Sequence, residues 1–272
     1  MGVKSFIRKI LSLVWLSYKI EANWTSIGNY LAYITVRPTF TLLLMIFIFV
    51  AVRGNQQFGY FILVGQAFYN LIGSGIMGVA YTLWDDREHY RMLKYMYIMP
   101  VNFSIYLVGR GLYKYIEGIL PLAISFIIGS IIINVPFTEL HIQWSLLILN
   151  YLLGYVWIVA LGLLIASLMF FTTEYGWIVI ESLMASLLLF GNIIFPSDLL
   201  PFPLNLISNA LPIKIWIDLN RELIIGDLNY FNFQFVELVI MSFSYLIVAL
   251  LIFKESEKIA RKNGLIDIVT TH

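Results

Sequence analysis

The sequence contains no cysteine in 272 residues, which excludes disulfides, thiolate metal sites and cysteine nucleophiles. Charge is scarce too: Asp, Glu, Lys and Arg make up 12% of the chain, where a soluble domain carries roughly 25%. What charge there is balances to a formal +1, so nothing points to nucleic acid or to an acidic partner. The histidines, His89, His141 and His272, are scattered without ligand spacing, and no metal site is expected. The chain lacks G-x-x-x-x-G-K-[ST] and even a Gly-Lys dipeptide, so it cannot hold ATP phosphates in the P-loop manner. No nucleophile–base constellation appears either, and the chain is read as not an enzyme.

What is present is apolar. Hydrophobic residues make up 60% and aromatics 16% of the chain, and mean hydropathy is +0.86. Lipid is the solvent that suits such a composition. Windows 54–84, 118–138 and 142–173 are free of Asp, Glu, Lys and Arg, and each is long enough to cross a hydrocarbon core. Three further windows carry interruptions: 28–52 has Arg37 and Pro38, 175–196 has Glu181, and 230–253 has Glu237. The expectation is an all-α polytopic membrane protein with six transmembrane helices. It is read as a single unit over 1–272, with an amino-terminal interfacial helix at 1–27, a bundle at 28–256 and a tail at 257–272.

Lys and Arg set the orientation. Thirteen fall before the first span, around the second-to-third connection or after the last span, against Arg53, Lys214 and Arg221 on the other side. Both termini are therefore expected in the cytoplasm of a cell-membrane protein. The "ILSLVWL" run near the start is short and no small-residue cleavage site follows, so it is expected to stay in the mature chain.

The segment "KSFIRKILSLVWLSYKI", with Lys4, Arg8 and Lys9, is too charged to span. On a helical wheel Lys4, Arg8 and Lys19 fall within about 60°, opposite Phe6, Ile10, Leu13 and Val14. It reads as a helix lying in the cytoplasmic interface, or else as an amphipathic helix packed on a soluble partner. Between spans five and six, prolines at 196, 201, 203 and 212 break an apolar stretch into two short helical pieces. These are expected to dip into the outer leaflet and return.

The charged stretch "WDDREHYRMLKYMYIMP" gathers Asp85, Asp86, Arg87, Glu88, Arg91 and Lys94 into ten positions between two apolar runs. Projected as one helix over 85–99, it sets Arg87, Arg91 and Lys94 on an arc of about 60°, with Met92, Met96, Met99, His89 and Leu93 opposite. Pro100 would end that helix. The stretch reads either as an amphipathic cytoplasmic helix with an available basic face or as a positive-inside loop that fixes topology.

"WDDREHYRMLKYMYIMPVN" resembles the cytoplasmic connection of ABC-2 type ABC transporter permeases, with Leu93, Tyr95, Pro100 and Val101 at the recurring positions. "IIFPSDLLPFPLNLISNALPIKIWIDLNREL" resembles the outer re-entrant segment of that family, and "EKIARKNG" its short basic exit. The resemblance implies a permease subunit of an ATP-driven exporter, with Asp85, Asp86, Arg87, Glu88, Arg91 and Lys94 on a coupling helix read by a separate ATPase subunit. ATP and Mg would belong to that partner, leaving this chain with no cofactor. It also implies a second permease, another copy of this chain or a homologous one, meeting it along the first and fifth spans. Leu199, Leu200, Phe202 and Leu204 would then form an outer gate.

Arg37, Arg110, Lys114, Glu117 and Glu181 lie in or beside spans, where ionisable groups are costly. Arg110, Lys114 and Glu117 can share a helix face as an ion-pair ladder. Glu181 needs a partner from another helix, and Lys114 and Arg110 are the candidates considered. The cargo is expected to be a hydrophobic drug, lipid or peptide-like molecule, or alternatively a lipid-linked polysaccharide. An ion-coupled secondary transporter using Glu181 and Glu117 is the reading from a different class, and no internal repeat supports it.

Overall fold

A computed structural model describes residues 3–22, 25–51, 54, 56–96, 98, 102–134, 142–172, 176–225 and 231–266. Among these every regular element is helical. The elements are α1 (Val3–Ala22), α2 (Ile27–Ala51), α3 (Gln56–Glu88), α4 (Leu93–Met96), α5 (Phe103–Glu117), α6 (Ile119–Ile133), α7 (Trp144–Met169), α8 (Gly176–Phe190), a 3₁₀ turn at Ser197–Leu199, α9 (Leu204–Ala210), α10 (Pro212–Ile225) and α11 (Phe231–Lys262).

Among the described residues five stretches are long and apolar enough to cross a membrane: α2, α3, the nearly continuous Phe103–Ile133, α7 and α11. They fit a chain that crosses a membrane more than once. In α3 and α7, 72% of the most apolar window is buried, against 22% in α2 and 17% in α11, so α3 and α7 form the centre and the other two face outward. Apolar residues recur along the free side of α11 at Phe233, Val236, Ile240, Phe243, Ile247 and Leu251. A stripe of that length is at home in lipid and out of place in water.

The central pair packs through small residues. A Cβ at Gly162 of α7 would sit 2.6 Å from Val79 Cβ of α3, so glycine is what lets the two backbones approach. Tyr115 and Tyr151 then cross-link α5 to α7. Each donates its hydroxyl to the other's backbone carbonyl, at 2.8 and 3.2 Å, with ring centroids 4.5 Å apart. Proline marks two local departures from regular helix. Pro121 has no N–H to offer the Glu117 carbonyl one turn back, and the helix breaks at Gly118 between α5 and α6. Pro212 occupies the first position of α10, where an N–H is dispensable.

α8 is only 15 residues long. It nonetheless runs antiparallel beside α3: Gly176 lies against Trp84, Met184 against Gly73, and Ile193, just beyond its end, against Gly65. Ser208 of α9 donates to the Phe190 carbonyl at 2.6 Å, satisfying one of the carbonyls orphaned where α8 stops.

The stretch 85–99 is not one helix. Asp85 to Glu88 complete α3, the chain turns at His89 and Tyr90, Arg91 takes a left-handed backbone conformation (φ 51°), and α4 lasts a single turn. The expectation that Arg87 lies on an exposed basic arc is overturned, because Arg87 is 1% exposed. Met99, Pro100 and Val101 lie outside the described residues, as do Arg53 and His141.

Candidate functional site

Arg87 is buried because it closes a helix end. Its guanidinium donates to the carbonyls of Met169 (2.9 Å), Phe170 (3.4 Å) and Thr172 (2.7 Å), and its Nε meets Glu88 at 3.0 Å. A cation on the terminal carbonyls of α7 satisfies orphan acceptors and opposes the negative end of the helix dipole. Asp86 and Glu88 are buried as well. Of the six residues expected on the coupling surface, Arg91 and Lys94 are exposed and Asp85 is partly so. Beside them stand exposed His89, Tyr90, Tyr95 and Ile98, on a knuckle anchored by buried Leu93 and Met96.

Asp86 faces inward. It accepts from the Tyr106 hydroxyl at 2.6 Å and lies 3.8 Å from Arg110. Arg110 also donates to Tyr106 and pairs with Glu21 at 3.2 Å. Lys114 pairs with Glu21 at 3.0 Å and with Glu117 at 3.2 Å. Arg110 and Lys114 are thus joined through Glu21, which α1 delivers, and not directly along α5. Tyr30 of α2 donates its hydroxyl to Glu117 and sits 2.6 Å from the Tyr113 hydroxyl. Sequence reasoning passed over Glu21, although it is the only acidic residue before Asp85.

These groups border a cleft of about 660 Å³ between α2 and α8, floored by α3. Glu21, Asp85, Glu117, Glu181, Lys114 and Arg37 supply its charges. Tyr33, Tyr81 and Trp177 supply aromatic wall, and Pro121 and Ile180 lie among the apolar residues. Glu181 meets Arg37 of α2 at 3.4 Å across the opening. That corrects the expectation of Lys114 or Arg110 as its partner, both of which are engaged with Glu21.

α1 is held by one face and leaves another free. Leu13 is buried, and a Cβ at Gly109 of α5 would come within 2.6 Å of Leu13 Cβ. Ile7, Leu11, Trp15 and Tyr18 form an exposed apolar stripe flanked by exposed Lys4, Arg8 and Lys19, while Lys9 is half-buried. Lys19 lies 4.8 Å from the Trp15 ring centroid, close enough for a cation–π contact.

At the opposite end of the bundle, Arg221 of α10 reaches the carbonyls of Phe61 (3.1 Å), Asn192 (2.6 Å) and Ile193 (3.2 Å) and pairs with Asp218 at 2.9 Å. It also stacks on Phe61, 3.4 Å from the ring centroid. Burial brings the Arg221 guanidinium down to about 10 against the pull of Asp218, so it stays charged at neutral pH. Burial raises the Asp218 carboxyl, and Arg221 opposes that shift. Of the residues expected at an outer gate, Leu199 and Phe202 are exposed, Leu204 is half-buried and Leu200 is packed inside.

Among the described residues no cluster of three or more metal-ligating His, Cys, Asp or Glu side chains occurs. No protein-family model matches the chain, and the curated proteins hold no match to it.

Proposed function

We propose that the chain is the membrane subunit of an ATP-driven exporter of the ABC-2 permease type, working with a separate ATPase subunit. The observation that carries this reading is the junction at the end of α3. Within a few residues the chain passes from the cleft (Asp85) through a buried ionic anchor (Asp86, Arg87, Glu88) to an exposed knuckle (His89 to Met96, with Ile98). A partner pressing on the knuckle would move α3 and, through Arg87, the end of α7. Both are central helices, so the motion would reach the cleft. Arg91, Lys94, Tyr90 and Tyr95 are then the groups a partner reads, and the buried trio transmits.

Six crossings go with this reading. The contacts of α8 and its exit with α3 run from Trp84 to Gly65, nineteen positions or roughly 28 Å of helix rise, close to the thickness of a hydrocarbon core of about 30 Å. Both termini then share the cytoplasmic side, as the distribution of Lys and Arg favours. Residues 196–225 form an outer re-entrant segment clasped by Arg221, with Leu199, Phe202 and Leu206 toward the membrane or a second copy of the permease.

The test is purification from the native membrane. The wild-type chain is expected to bring down an ATP-hydrolysing subunit, and Arg91→Glu with Lys94→Glu to lose it while remaining folded. Retention of the subunit by the double variant would remove the knuckle from the interface. An ion-coupled transporter would instead move cargo in vesicles without nucleotide under an imposed ion gradient.

A further inference from the structure

We propose that the cleft between α2 and α8 binds an amphiphilic organic cation, an ammonium or phosphonium group carried on an apolar or aromatic body. This deepens the transport reading by naming the class of cargo, and rests on it. The volume of about 660 Å³ suits a drug-sized molecule.

The sign of the ligand follows from the lining charges. Four carboxylates (Glu21, Asp85, Glu117 and Glu181) face two cations (Lys114 and Arg37). Lys114 is held between Glu21 and Glu117, so it is shielded from an anion entering the cleft. The Arg37–Glu181 pair stands at the opening, its side chains 75% and 47% exposed, and is joined by one contact of 3.4 Å, which holds less firmly than a short bidentate pair. A ligand cation can therefore take the place of Arg37 at Glu181. Asp85 meets His89 at 2.7 Å, an ion pair only when the imidazole is protonated.

The shape of the ligand follows from the walls. Tyr33, Tyr81 and Trp177 offer ring faces that attract soft cations, and Met77, Pro121 and Ile180 offer apolar surface. Exposed Val36 and Trp177 stand at the rim, so a molecule dissolved in lipid reaches the carboxylates without crossing water. A lipophilic anion of the same shape meets the same walls and the opposite field.

The experiment measures tetraphenylphosphonium bound by the purified chain in lipid nanodiscs, with empty discs of the same lipid subtracted. Tetraphenylborate is the control of equal shape and opposite charge. Saturable phosphonium binding is expected, with none for the borate. Glu181→Gln and Asp85→Asn are each expected to weaken it by about tenfold, as loss of a desolvated charge partner does. Arg37→Gln, at an exposed position where folding is not at stake, is expected to tighten it severalfold by freeing Glu181. Equal binding of the borate, absence of saturable binding, or a folded Arg37→Gln that binds no more tightly would each overturn the proposal. Crosslinks between copies through Val36→Cys and Trp177→Cys, with no cation binding, would assign the cleft to a second copy instead. Since no ATPase enters the assay, the cargo class and the ATPase coupling can fail separately.

Discussion

Arg87 and Arg221 perform the same task at opposite ends of the bundle, and their surroundings differ. Each is a buried guanidinium that gathers backbone carbonyls near a helix end and pairs with an acid close by in sequence, Glu88 at 3.0 Å or Asp218 at 2.9 Å. Around Arg221 the clasp is local, completed by Asn192 and the Phe61 ring. Beside Arg87, at the preceding residue, a second network begins with Asp86 and runs through Tyr106, Arg110, Glu21, Lys114 and Glu117 to the cleft. A single clasp fixes a joint. A chain of shared ion pairs, in which Glu21 and Lys114 each serve two partners, has more than one way to be satisfied and can shift without losing all its contacts.

The comparison can be broken most severely at Arg87. Arg87→Met removes the cation from Glu88 and from three backbone carbonyls in a buried site, and breaking a buried pair from one side costs about 3–5 kcal/mol. The detergent-solubilised chain should show a large fall in Tm. Arg221→Lys keeps the charge but loses the planar fork and the stack on Phe61, so a smaller fall is expected, about 2 kcal/mol. If the two variants fell equally, the two ends would be equivalent joints. Glu21→Gln should cost about 1 kcal/mol, because Lys114 keeps Glu117 and Glu21 is itself partly exposed. Combined with Glu117→Gln it should exceed the sum of the single changes; simple additivity would refute a shared network. Arg91→Glu with Lys94→Glu, outside both joints, should leave Tm unchanged.

Most of the fold was legible in the sequence because lipid imposes a simple rule, and charge-free windows of spanning length coincide with α3 and α7. The rule failed where helix direction changes without a change in composition. A wheel drawn over 85–99 assumes an unbroken helix, and nothing in Glu88–His89–Tyr90–Arg91 announces the turn as glycine or proline would. Once Arg91 departs from the helix, Arg87 no longer shares its face. The candidate site was less legible because its pairs are distant in sequence: Arg37 and Glu181 are 144 positions apart and Glu21 and Arg110 are 89 apart. Periodicity along one segment carries no information about such partners. Four of the charges expected within the membrane, Arg110, Lys114, Glu117 and Glu181, were recognisable as out of place there, but the α1 carboxylate that joins two of them was not.

The lodging of α1 against Gly109 makes it an electrode brought in from the side. It is not among the long apolar stretches, yet it carries Glu21 to the cleft, where the carboxylates outnumber the cations by two. Lifted away, it would halve that excess and take from Arg110 its nearer carboxylate. The excess of negative charge in the cleft is therefore set partly by a helix that belongs to none of the five long apolar stretches.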